Sequence, residues 1–155
     1  MRRRRERIVT DAATSRRMAD VRQKDTTPEL AVRQALTMLG LRYRVRNRDL
    51  PGSPDIANRS RRWAVFVHGC FWHRHPGCVR TTTPKRNRVF WIRKFEANVA
   101  RDARAVAELQ KRGFRVITIW ECETEVDLHH LVVLIQRRFG EGIRKTDEKS
   151  PVAGK

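Results

Sequence analysis

Hydrophobic and polar positions along the chain alternate between a helical period and a strand period. Thr26-Thr27-Pro28-Glu29 opens a helix, with Thr27 suited to the N-cap, Pro28 to the first turn and Glu29 to the positive end of the helix dipole. Leu30, Ala31, Ala35, Met38 and Leu39 form its apolar stripe, and Gly40 ends it. Leu41 to Arg46 alternates at period two, a strand with one basic face; Asn47 to Pro54 is rich in turn formers. Asp55-Ile56-Ala57 is a short strand, Arg59 to Arg62 a basic turn, and Trp63 to Val67 a wholly apolar, central strand. A loop from Val79 to Arg88 follows a segment dense in His and Cys. Val89 to Arg112 then repeats Phe95, Val99, Ala103, Val106 and Leu109 at helical spacing and stops at Gly113; its other face carries Arg101, Asp102, Arg104, Glu108 and Lys111, a solvated pattern. Phe114 to Trp120 is a further strand and Asp127 to Phe139 a closing helix. Helix, three strands, helix, strand, helix describes an α/β (α+β) fold, a mixed sheet flanked by helices. The long crossover helix lets the last strand lie parallel to an earlier one. Residues 1–25 are expected to form a flexible basic arm, 26–140 a single domain, and 141–155 a disordered tail.

Charge narrows the partner. The chain has 155 residues, with 35 Lys and Arg against 17 Asp and Glu, a net +18 that favours a polyanion, nucleic acid first. No stretch approaches the ~20 apolar residues of a membrane span, and the basic run from Arg2 to Arg7 lacks the apolar core of a signal peptide. Three cysteines are an odd number, so thiols beside histidines point to metal more than to disulfides, in a reducing cytoplasm or on a bacterial nucleoid.

Candidate chemistry concentrates between Val65 and Cys78. Cys70, His73, His75, Cys78 and Cys122 offer five ligands for the four positions of a tetrahedral structural zinc, and spacing leaves the choice between His73 and His75 open. The competing reading, three buried cysteines beside surface histidines, fits less well, because Cys70 and Cys78 stand in a polar segment. Asp55 at a strand end could hold Mg²⁺ beside a phosphodiester, although an isolated Asp among Pro and Ser is more often a turn residue. Glu29 already has a helix-dipole reason for its place. Phe71-Trp72 could cover the metal or the core, or could wedge between bases, which is least costly at a mispair. Met18 packs on the domain edge or enters a groove, and the basic loop 79–88 is either a solvated connection or a phosphate contact.

Phe66-Val67-His68-Gly69-Cys70-Phe71-Trp72-His73-x-His75, preceded by Pro51-Gly52-x-Pro54-Asp55 and followed by Trp120-Glu121-Cys122, resembles the very-short-patch repair (Vsr) endonucleases, from about Ser15 to Cys122. The resemblance implies a restriction-endonuclease-like fold and a Mg²⁺-dependent enzyme that nicks the T-bearing strand at T:G mismatches left by 5-methylcytosine deamination. It implies structural zinc on Cys70, His75, Cys78 and Cys122, and Mg²⁺ on Asp55 and the Val67 carbonyl. His73 is then the general base, with His68 assisting and Glu29 an acidic residue of the active site. Phe71, Trp72 and Trp91 are the aromatics that enter the duplex from the major groove, and Met18 the wedge from the minor groove. Mismatch-repair proteins and a repair polymerase are the implied partners of a monomer. Val67 stands where some members have Thr, Cys78 lies one residue further from His75 than in another member, and the usual nuclease lysine is absent near Val67-His68. Two other readings fit the charge and the zinc-like loop: a non-catalytic zinc-stabilised DNA-binding protein, and a restriction-type endonuclease acting on undamaged sites.

Overall fold

Thr26, not Thr27, caps the first helix. In the computed structural model, which describes Arg16, residues 24–140 and Ile143, the Thr26 hydroxyl accepts the Glu29 N–H at 3.4 Å and α1 runs Thr27–Met38 with Pro28 in its first turn. The inward stripe of α1 is Glu29, Val32, Ala35 and Leu36, whereas Leu30 and Met38, expected inside, are 49% and 61% exposed. Only Arg44–Val45 of the expected strand 41–46 pairs, as β1. Arg46 at φ +61 ends it, while Leu41 and Tyr43 pack on the core.

β2 (Ile56–Asn58) and β3 (Trp63–His68) follow, then a one-turn helix, α2 (Cys70–His73), inside the segment read as a loop. α3 spans Arg88–Lys111 and β4 Arg115–Trp120. A 3-10 helix at Glu121–Glu125 precedes α4 (Leu128–Phe139), which Asp127 caps by accepting the His130 N–H. The sheet order is β1-β2-β3-β4. The first two pairings are antiparallel, and β3 lies parallel to β4 with Val65 opposite Ile117 and His68 opposite Trp120.

Period two in β3 sends alternate side chains into two cores. Trp63 and Val65 join Ile56, Ile117 and Ile119 under α1 and α4, with Trp63 edge-on to Phe139 at 5.4 Å. Ala64 and Phe66 face the other way, against Ala105 and Leu109 of α3. The sheet is therefore covered on both faces, which accounts for the wholly apolar run of β3. Its outlet is the end where β3 and β4 finish and β2 begins, and Asp55, His68, Cys70 and Cys122 all stand there. Ile143, within the expected tail, packs on the first core. The arm's Met18 lies outside the described residues. Among those residues no helix is long and apolar enough to cross a membrane.

Candidate active site

Asp55 precedes β2 and is tied to β3, where its Oδ2 accepts the Val67 N–H at 2.7 Å. Burial raises its carboxyl to about 6; the Val67 N–H works against that shift, and the neighbouring Glu29 carboxylate adds to it. Glu29 is 7% exposed. Its Oε2 accepts the Asp25 N–H at 3.0 Å and faces Arg33 Nη2 at 3.4 Å, while Arg33 Nη1 meets Asp25 Oδ1 at 2.7 Å. Two acids repelling one another in a poorly hydrated corner are relieved by a cation, so the donor set fits a hard divalent ion.

His68 ends β3 and is 7% exposed. Burial, then the adjacent His73, lowers its imidazole to about 4, so it is neutral at pH 7. The His68 and His73 rings stack at 3.9 Å with planes 8° apart. His73, at the end of α2, meets Asp102 Oδ2 through Nδ1 at 2.6 Å. A carboxylate only accepts, so Nδ1 carries the hydrogen and Nε2 of the neutral ring is left as the proton acceptor. Asp102 is the residue of this group that sequence reasoning did not single out. It lies 29 positions from its partner on a helix face that reads as solvated, and no local pattern marks it.

His75 turns to the cysteines instead. Its Nδ1 lies 3.6 Å from Cys70 Sγ and 3.3 Å from Cys122 Sγ, and the ligand atoms of Cys70, His75, Cys78 and Cys122 all fall within 4.8 Å of one another. Cys70 is fully buried in the first turn of α2, contrary to the expectation of a polar loop, while Cys78 and Cys122 are half-buried. The longer reach to Cys78 is taken up by a turn in which Gly77 adopts φ +70 and the Cys78 N–H bonds His75 O at 3.3 Å. Burial and then Cys70 push the Cys122 thiol up to about 12, whereas the Arg80 N–H lowers that of Cys78. Crowded thiols that resist ionising together are what a thiophilic cation such as zinc neutralises, so this set fits too. The Trp120 ring stacks on His75 at 4.4 Å and meets His68 edge-on at 5.5 Å, standing between the two groups.

Beside them the aromatics form one cluster. Phe71 contacts Trp72 at 5.0 Å and Phe95 at 5.1 Å, Trp72 contacts Trp91 at 6.0 Å, and Lys94 Nζ lies 5.2 Å from the Trp72 ring. Phe71 and Trp72 are half-buried, but Trp91 is 7% exposed and forms the floor of the cluster. Asn98 Nδ2 donates to Trp72 O at 3.1 Å and ties α2 to α3.

A model of the family described as DNA mismatch endonuclease Vsr matches residues 7–80. The type II nicking enzyme V.XorIIP of Xanthomonas oryzae pv. oryzae is 51% identical over 106 residues, covering 68% of this chain and 77% of that protein. The type II nicking enzyme V.NmeAIP of Neisseria meningitidis is 41% identical over 116 residues, 75% and 82% of the two chains. The DNA mismatch endonuclease Vsr of Escherichia coli is 41% identical over 115 residues, 74% and 73%. With 41% identity to that enzyme over 74% of this chain and 73% of the other, and the family model matching residues 7–80, the chain belongs to the Vsr family of DNA mismatch endonucleases and is an endodeoxyribonuclease.

Proposed function

We propose that this endonuclease nicks the T-bearing strand at T:G mispairs left by 5-methylcytosine deamination, on the bacterial nucleoid, with a restriction-endonuclease-like fold as its frame. The observation that carries the reading is the bond between His73 Nδ1 and Asp102 Oδ2 at 2.6 Å, made beside the Asp55–Glu29 acid pair. Asp102 fixes the tautomer and direction of His73, and His73 Nε2 takes the proton from the attacking water. The water oxygen then bonds phosphorus, the P–O3′ bond breaks, and a 5′-phosphate and a 3′-hydroxyl remain. His68, neutral and stacked flat on His73, holds that ring's plane and presents a second imidazole to the phosphate or its water. Asp55 and the Val67 carbonyl would hold Mg²⁺, with Glu29 alongside. Bound there, the ion supplies charge stabilisation at the scissile phosphate.

Cys70, His75, Cys78 and Cys122 would hold structural zinc, joining the segment after β3 to the segment after β4. That staple keeps α2 rigid, so the base His73 and the aromatics Phe71 and Trp72 keep one fixed spacing. Phe71 and Trp72 enter the duplex from the major groove with Trp91 beneath them, and Met18 of the basic arm enters from the minor groove. The protein acts as a monomer and hands its nick to a repair polymerase and mismatch-repair proteins.

Purified protein with Mg²⁺ should nick a T:G duplex and spare its T:A counterpart. Asp102→Asn should lower the single-turnover rate by roughly 10²- to 10⁴-fold with duplex affinity retained, and Asp55→Ala should abolish cutting. Equal cutting of both duplexes removes mismatch specificity, and a native rate in Asp102→Asn removes the His73–Asp102 pair from the reaction. The relatives named as nicking enzymes of type II keep a second reading open, cleavage at undamaged sites, which digestion of a mismatch-free plasmid reveals.

A further inference from the structure

Arg74 stands between the catalytic His73 and the cysteine-facing His75, yet neither group uses it. It closes α2 in the left-handed conformation, φ +57, and this turns its side chain out of the cysteine loop and across α3. There its guanidinium carbon lies 4.2 Å above the centre of the buried Phe95 ring, the ring against which Phe71 packs edge-on at 5.1 Å. The same guanidinium donates to Thr82 O at 2.8 Å, Thr81 O at 3.0 Å and Thr83 Oγ1 at 3.2 Å. One planar fork thus holds three consecutive residues of the basic loop against the base of the aromatic cluster. The loop is held a second time at its start, where Arg80 grips Glu125 with two parallel bonds of 2.8 and 2.6 Å. Beyond the Arg74 clamp the loop continues with exposed Lys85 and Arg88 toward the N-terminus of α3.

We propose that Arg74 is a positioning residue that locks the phosphate-gripping loop to the base-inserting aromatics, and that this coupling sets how well mispaired and paired duplexes are told apart. The proposal rests on the readings that Phe71 and Trp72 enter the duplex and that the basic loop 79–88 contacts its phosphates. Opening a base step costs least at a mispair. If the loop and the aromatics move as one body, the loop makes the same phosphate contacts on either duplex but only after insertion, and the full difference in opening cost appears in the binding constant. If the loop is loose, it grips any duplex without insertion, and discrimination falls. Lysine keeps the charge and much of the stem but cannot reach three acceptors in one plane.

The test uses T:G and T:A duplexes carrying 2-aminopurine beside the mispaired T, titrated with native protein, Arg74→Lys and Thr83→Val, each checked for zinc content. Arg74→Lys should shrink the ratio of T:G to T:A affinity by roughly tenfold, the size expected for losing charge-assisted hydrogen bonds that tie the loop to the aromatics. The rise in 2-aminopurine fluorescence should shrink, with the saturating single-turnover rate falling less than the affinity. Thr83→Val, which removes one acceptor, should shift the ratio the same way by a smaller factor and stands in if Arg74→Lys does not fold. An unchanged T:G to T:A ratio in both variants overturns the proposal. So does an equal loss on both duplexes, which would make Arg74 a plain phosphate contact. Trp72→Ala separates the two claims: a native ratio and fluorescence rise there overturn the insertion reading itself, whereas a native ratio in both Arg74→Lys and Thr83→Val, with Trp72→Ala impaired, overturns only the coupling.

Discussion

Burial raises the Asp55 carboxyl to about 6, and this makes the metal-free protein's stability depend on pH in a definite direction. Below pH 4 the group is protonated folded and unfolded alike. Between pH 4 and 6 the unfolded chain ionises while the fold still holds the proton, so this contribution to stability is lost as pH rises through about 6. Asn at this position keeps an acceptor for the Val67 N–H and never charges. Asp55→Asn should therefore melt with the native protein at pH 4 and above it by roughly 3 °C or more at pH 7.5 in metal-free buffer. His68, lowered to about 4, has the opposite sign: its contribution is present above its ordinary 6.5 and is lost as pH falls through 4. Both proteins share it, so it cancels in the comparison, and a melting difference that does not grow with pH would remove the buried-acid account of Asp55. At this scale sequence was most legible where the clustered side chains are neighbours in the chain. Cys70, His75 and Cys78 announce one another within nine positions, whereas the choice between His73 and His75 depends on which way each ring leaves α2 and its exit. Spacing carries no information about that, nor about Asp102, whose partner arrives from a different helix.

Gly52 shows how an element-level packing requirement fixes the position of a site residue. It sits at φ +71, and a Cβ there would lie 2.4 Å from Ala105 Cβ of α3 and 3.2 Å from the Phe66 ring. The turn it makes leads directly to Asp55. Gly52→Ala should cost about 1–3 kcal/mol from overpacking and backbone strain together, read as a lower urea midpoint, and should depress nicking further by displacing Asp55. Pairing it with Ala105→Gly should restore part of the midpoint; no loss in the single variant would mean that the turn is not seated on α3. Element order was readable from period alone, and β2, β3, β4 and α4 appear within a residue or so of their expected limits. The phase of α1 was not. Its core-facing stripe begins with Glu29, an acid where packing alone calls for an apolar residue, so hydrophobicity pointed to the neighbouring stripe through Leu30 and Met38. α2 was missed because one turn is too short for a period.

A net charge of +18 on 155 residues is far more than one active site requires, and it divides the binding energy into two parts with different salt sensitivity. Lys and Arg contacts to phosphates release counterions, so they should weaken steeply with salt and equally on every duplex. On the proposed reading, insertion of Phe71 and Trp72 is governed by stacking and by the buried fit of the cluster, which salt barely screens. Raising salt from 50 to 200 mM should thus lower affinity for T:G and T:A duplexes alike by about a hundredfold or more, while their ratio stays within about threefold, measured by equilibrium titration. A ratio that collapses with salt would mean that discrimination itself is made of phosphate contacts, and the aromatic cluster would lose its assigned part. The same division explains why the molecule joins its loop, its cysteine cluster and its aromatics at one end of the sheet. On the proposed reading a strong but indiscriminate grip has to be tied to a weak, selective probe; the Asn98–Trp72 bond ties α3 to α2, and the Arg74–Thr82 bond ties the loop to the end of α2.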